Sequence, residues 1–298
     1  MRVQRSYKSE SVPGANVSGS GTLYLVATPI GNLEDMTMRA IRVLREADLI
    51  AAEDTRQTRK LLTHFEIHTR LVSYHEHNKS ASGPELIRLL LEGQSIALVS
   101  DAGLPAISDP GADLVAEAAE QGIAVVPIPG ANAALSALIM SGLPTERFLF
   151  AGFPPREKKT LGKWLKDLAK ERATLIMYES PHRLGKTLSA MLEAFGDRRI
   201  AVIRELTKKH EEAIRGLISE CIGWFEEHSP LGEFCLVIDG ANESESDGQG
   251  ENEVWWAELD VEAHVSHYES TMDRKEAIKQ TAIDRGVPKR DVYNEVNR

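Results

Sequence analysis

Between residues 22 and 240, short and almost uninterrupted apolar runs alternate with amphipathic segments, which restricts the chain to a layered α/β architecture with a largely parallel sheet. The runs at 23–28, 49–52, 96–100, 124–128, 148–152, 173–178, 199–204 and 234–238 read as strands covered on both faces. Between them, residues 37–47 gather Ala40, Ile41, Val43, Leu44 and Ala47 on one helical face, and Leu86, Leu89 and Leu90 do the same after Ser82. Gly142, Leu143 and Pro144 break the chain between a helical run and a fresh strand. Two α/β domains are therefore expected, 22–142 and 143–241, preceded by a flexible polar tail over 1–21.

The net charge of −10 argues at first against a polyanionic partner, but its distribution reverses that reading. Eight acidic residues and no Lys or Arg fall between Glu243 and Glu262; removing those eight from −10 leaves −2 for the rest. The segment 242–260, rich in Ser and Gly as well, reads as an acidic linker. Beyond it, 261–298 reads as a helical, helix-turn-helix-like tail: Gly286, Val287 and Pro288 separate two helical stretches, and seven basic residues outnumber four acidic ones from Arg274 to Arg298. Cys221 and Cys235 have neither disulfide-framework nor zinc-ligand spacing. No apolar run reaches the roughly 18 residues of a membrane span, and the opening segment lacks the apolar core of a secretion signal, so a cytoplasmic protein without a membrane partner is expected.

Polar, glycine- and proline-punctuated segments follow the strands, where a doubly wound fold places its ligands. They are 28–33 (Thr28, Pro29, Ile30, Gly31, Asn32, Leu33), 52–56 (Ala52, Glu53, Asp54, Thr55, Arg56), and 73–78, in which His75 and His77 flank Glu76. The stretch 100–111 carries two Asp, two Gly and two Pro, more than a connector requires, and reads as a backbone-rich cradle. Small residues follow the next strand in 129–134, and the second half adds 178–183 and 204–209. Neither a dinucleotide-loop nor a Walker spacing is present. The histidine pair lacks a third ligand, so no metal is expected. These clusters from both halves imply one cleft between them.

Taken in order and spacing, the segments 28–33, 52–56, 73–78, 100–111, 178–184 and 204–208 resemble the RsmI family of ribosomal small-subunit RNA ribose 2'-O-methyltransferases, within the tetrapyrrole-methylase-like superfamily of S-adenosylmethionine enzymes. The family commonly has Pro-Gly-Pro-Ser where this chain has Pro129, Gly130, Ala131 and Asn132. The resemblance implies two α/β domains of the tetrapyrrole methylase type, S-adenosylmethionine in the crevice, a homodimer, and methyl transfer to the 2'-hydroxyl of a decoding-centre cytidine of 16S rRNA within the small ribosomal subunit. Carried over by position, it implies cofactor contacts from Pro29, Ser100, Asp101, Gly103, Ile107, Gly130, Asn132, Ala133 and Tyr178. It also implies that the helical tail touches RNA.

Methyl transfer from a sulfonium is an in-line displacement that needs alignment of donor and acceptor more than it needs a metal. A base taking the ribose hydroxyl proton adds on the order of a hundredfold. Glu53, Asp54, His75, Glu76, His77 and Glu179 are candidates, with Asp54 and His75 favoured as the proton-handling or hydroxyl-orienting pair. Arg56, Arg59, Lys60, Arg183, Lys208 and Lys209 are the expected phosphate contacts. Two alternatives stay open: the same fold methylating a tetrapyrrole, and a non-catalytic RNA-binding assembly module.

Overall fold

The computed structural model describes residues 4, 19–242, 256 and 259–297. The chain divides into two compact units at Ala241 and Asn242. The first contains two five-stranded sheets.

The first sheet comprises β1 (Thr22–Val26), β2 (Leu49–Ala52), β3 (Leu71–Ser73), β4 (Ile96–Val99) and β5 (Ala124–Ile128), all parallel in the order β3-β2-β4-β1-β5. Every residue of β2 and β4 is buried, as their apolar runs required. Helices α1 (Met38–Glu46) and α2 (Thr55–His64) cover one face through Ala40, Val43, Leu44 and Leu62. Helices α3 (Lys79–Leu91) and α4 (Gly111–Glu120) cover the other through Leu86, Ile87, Leu90 and Leu114. Neighbouring strands β1 and β4 thus send their helices to opposite faces, which opens a crevice at their carboxyl ends.

The second sheet comprises β6 (Phe148–Gly152), β7 (Thr174–Glu179), β8 (Arg199–Arg204), β9 (Glu212–Leu217) and β10 (Phe234–Ile238), in the order β6-β7-β10-β8-β9. Here the expectation of parallel strands needs correction, because only β6 and β7 run parallel and the other three pairings are antiparallel. The reason is topological: β8 and β9 form a hairpin, and β10 inserts between β7 and β8. Since β10 opposes both neighbours, β7 and β8 still point the same way, and their carboxyl ends lie on one edge. Helices α6 (Lys158–Leu168), α7 (Leu184–Phe195) and α8 (Ile218–Glu227) cover one face. The other face is covered by α5 (Ala133–Ser141), which follows β5 of the first sheet and packs Ala134, Ala137 and Leu138 against Ile176, Ala201 and Val237.

Within 1–21, Gln4 is hydrogen-bonded through its side-chain amide to both backbone groups of Val125 on the edge strand β5, at 2.7 and 2.9 Å. The expected acidic linker lies outside the described residues except at Asn242, Trp256, Leu259 and Asp260. The second unit packs α9 (Val261–Glu269), α10 (Arg274–Asp284) and α11 (Lys289–Val296) around Val265, Ala277, Ile278, Ala282 and Val292. Gly286 turns the chain between α10 and α11 with φ +63°. His264, fully buried, accepts from Arg285 Nε at 3.1 Å and meets Asp284 Oδ2 at 3.2 Å, so a polar network locks α9 to α10. No helix among the described residues is long and apolar enough to cross a membrane.

Candidate active site

The loops leaving β1, β4 and β5 close on one another. Thr28 and Gly103 exchange backbone hydrogen bonds at 2.9 and 3.0 Å, tying 28–33 to 100–111 at the crevice between β1 and β4. Buried Ser100 braces this junction: its carbonyl accepts from Thr28 Oγ1 at 3.2 Å, and its own hydroxyl donates to the Ala102 carbonyl at 3.3 Å. Gly130 lies so near Ala27 that a Cβ there would stand 2.7 Å from the Ala27 methyl, which explains a glycine at the start of the third loop. Asn132 caps α5, accepting from Leu135 N at 2.9 Å; asparagine caps as well as the serine common in the family.

The second sheet reaches the same place. Burial pushes the Tyr178 hydroxyl pKa up to about 12, against the opposing effect of the Ala134 backbone, so it stays neutral. Gly31 abuts 205–209: a Cβ there would lie 2.4 Å from Lys208 Cγ and 3.0 Å from Thr207 Oγ1. Pro29, Ser100, Asp101, Gly103, Ile107, Gly130, Asn132, Ala133 and Tyr178 all belong to these meeting loops and strand ends.

Three carboxylates and an imidazole surround the ends of β2, β3 and β4. Glu53 is held above the ordinary carboxylate pKa first by burial and then by the Asp101 and Asp109 charges, while His75 and the Asp101 amide oppose that rise. Asp109, whose pKa is raised by burial, accepts from Ala106 N at 3.0 Å and Gly111 N at 2.7 Å. His75 donates its backbone N–H to Asn78 Oδ1 at 2.8 Å, while its buried Nδ1 has no hydrogen-bond partner. Asp101 accepts from the Asp54 backbone N–H at 2.9 Å, linking the β4 and β2 loops.

Asp54 itself is otherwise employed. It caps α2 by accepting from Arg56 N at 2.8 Å, and the Arg56 guanidinium grips it at 3.1 and 2.9 Å. Those bonds lower its pKa to about 2, which makes it a weak proton acceptor. The carboxylate of Asp54 is thus engaged by α2 and Arg56, whereas that of its neighbour Glu53 lies among Asp101, Asp109 and His75.

The expected phosphate contacts separate into two groups. Arg56, Arg59 and Lys60 are exposed on α2, where with Thr55 and Thr63 they line one shallow groove; Lys209 is exposed as well. Arg183 instead donates through Nη2 to the carbonyls of Pro154 and Pro155 at 3.0 and 2.6 Å, and Lys208 sits between Glu205 and Glu233 at 2.9 Å from each. Both side chains are thus engaged by the scaffold around them. On α1, Arg42 pairs with Glu46 and Arg45 donates to the Phe65 carbonyl, both at 2.7 Å. Thr207, within the 204–209 segment, is held at φ +66° with its buried hydroxyl lacking a partner opposite Gly31.

Sequence relatives place this fold among the methylases. A family profile described as Tetrapyrrole (Corrin/Porphyrin) Methylases matches residues 22–222. The solved uroporphyrin-III-C-methyltransferase from Thermus thermophilus shares the fold, with a TM-score of 0.53 at 24% identity, covering 74% of this chain and 94% of that one. Cobalt precorrin-4 methyltransferase does so with 0.56 at 14%, covering 73% and 94%. Ribosomal RNA small subunit methyltransferase I of Halalkalibacterium halodurans is 58% identical over 99% of this chain and 98% of its own length. Its namesake from Bacillus subtilis is 59% identical, over 93% and 94%. The chain belongs to this ribosomal RNA small subunit methyltransferase I family, within the tetrapyrrole methylases.

Proposed function

We propose that this protein transfers a methyl group from S-adenosylmethionine to the ribose 2'-hydroxyl of a decoding-centre cytidine of 16S rRNA, acting in the cytoplasm as a homodimer on the small ribosomal subunit. The observation that carries the reading is the meeting of loops from both sheets beside a desolvated carboxylate, with the exposed cations of α2 on the same strand-end side of the first sheet. The relatives' name supplies the substrate class.

The donor set fits a sulfonium compound. Glu53, Asp101 and Asp109 provide negative potential for a cation, Gly103 and Gly130 leave the backbone bare, and Tyr178 presents a neutral aromatic wall. Residues of the 28–33, 100–111 and 129–134 loops, with Tyr178, would hold S-adenosylmethionine, which when bound supplies an electrophilic methyl group. The protein's own work is alignment and proton handling. Glu53, with a raised pKa and His75 nearby, accepts the proton of the attacking hydroxyl, and Asp101 fixes the β2 loop that carries it. Arg56, Arg59 and Lys60 hold the flanking phosphates, at ordinary surface strength individually and additively as a stripe.

A tetrapyrrole acceptor is small enough for the cleft alone and has no use for a helical tail whose last stretch, from Arg274 to Arg298, is basic. Tritiated S-adenosylmethionine offered to undermethylated small subunits should label 16S rRNA; absence of label with intact donor binding would leave only the non-catalytic module. Removing residues 261–298 should weaken RNA binding and flatten its salt dependence in proportion to the phosphates the tail neutralises, with donor affinity unchanged. Equal RNA affinity and salt slope for truncated and full chains would remove the tail from the interface.

A further inference from the structure

We infer that Phe153 is a stacking platform for a nucleobase of the RNA substrate, presented at the cleft by a β-bulge and a fixed proline loop. The inference rests on the reading of an RNA acceptor and adds the group that receives its base.

The register between β6 and β7 runs Phe148 to Thr174, Leu149 to Leu175 and Phe150 to Ile176, and then jumps to Gly152 opposite Met177. Ala151 is thus an extra residue, and an extra residue in a strand returns the following side chains to the face they would otherwise leave. Phe153 accordingly shares the face of Phe150, and both rings meet Tyr178 edge-on, with centroids 5.4 and 5.0 Å away. Gly152 makes the turn with φ +69°, a conformation that resists a side chain.

Phe153 stays 61% exposed even so. Burying such a ring contributes about 1.5–3 kcal/mol, so a free loop would fold it inward. The loop is not free: Arg183 holds the Pro154 and Pro155 carbonyls. The buried carboxylate of Glu179, which accepts from Thr187 Oγ1 at 2.6 Å and Ser180 N at 2.7 Å, stands 3.7 Å from the Arg183 guanidinium. The network keeps a rigid aromatic in water. A Cβ on Gly152 would lie 3.9 Å from Ser108 Oγ, so the ring emerges beside the 100–111 loop. An exposed ring fixed next to a methyl-transfer site, on a protein with a cationic phosphate stripe, suits an unstacked base of single-stranded RNA.

The test uses full-length protein, S-adenosylmethionine and undermethylated small subunits. Phe153→Ala should raise the KM for subunits about tenfold, the loss expected on truncating a stacked aromatic, with donor affinity by calorimetry and oligomeric state unchanged. Phe153→Trp should restore the KM, and its fluorescence should be quenched on adding subunits. An unaltered KM in Phe153→Ala would overturn the inference, as would an equal loss of donor affinity, dissociation of the oligomer, or failure of Phe153→Trp to restore. Absence of label transfer by the unmodified protein would instead overturn the RNA reading on which the inference rests.

Discussion

Replacing Glu53 with glutamine should lower kcat for methyl transfer by about a hundredfold, the contribution of a positioned base, while donor affinity measured by calorimetry is kept. Glu53 ends an extended segment next to Asp101, Asp109 and His75, in a site that desolvates it and raises its pKa. The rate of the unmodified enzyme should therefore fall as pH drops through that raised value, and the glutamine variant should lack this limb. Stability should move the other way. The folded pKa lies above the ordinary 4.5, so the ionised group disfavours the native state at neutral pH, and that penalty disappears as the pH falls below 4.5. Glu53→Gln should accordingly melt at a higher temperature than the parent at pH 7, with the difference closing in acid. Asp54→Asn is the control, since asparagine still caps α2. If Asp54→Asn abolished turnover and Glu53→Gln spared it, the proton would belong to Asp54 after all.

Glu53 and Asp54 show where sequence stops informing. Both are acidic, adjacent and at a strand exit, but one continues the strand into a ring of carboxylates and the other turns into a helix cap gripped by Arg56. Their fates depend on Asp101 and Asp109, which arrive from the β4 loop some fifty positions later. The buried strands were legible because two covered faces demand continuous apolar runs. β3 escaped notice because Leu71–Ser73 is too short to make a run, and β9 because Glu212–Leu217 is an edge strand carrying Arg215 and Gly216, defined only by its partner β8. Arg183 and Lys208 read as phosphate ligands because charge is visible in a sequence and the carbonyls or carboxylates that occupy it are not. The bulge at Ala151 is a property of pairing, so Phe153 could not be placed before the register was known.

Asp109→Ala should weaken S-adenosylmethionine binding about tenfold, ~1.4 kcal/mol, and lower the melting temperature, because this carboxylate holds the shape of the 100–111 cradle. Ala106 and Ser108 sit at φ +70° and +64°, conformations that cost side-chain-bearing residues about 1 kcal/mol or more each. The Asp109 bonds to Ala106 N and Gly111 N oppose that strain, and without them two backbone amides lose their partner and the loop is free to relax. A Cβ on Gly111 would meet Asp109 Oδ1 at 2.7 Å, so bulk at the glycine cannot replace the bond. Asp109→Asn separates shape from charge. Its amide oxygen can still accept from both N–H groups, so donor affinity should stay near that of the parent. The lost negative charge, however, removes one of the causes that raise the Glu53 pKa, and the acid limb of the rate profile should shift to lower pH. An asparagine variant with an unmoved acid limb would uncouple Asp109 from Glu53, and an alanine variant with undiminished donor affinity would show that the cradle keeps its form without the carboxylate.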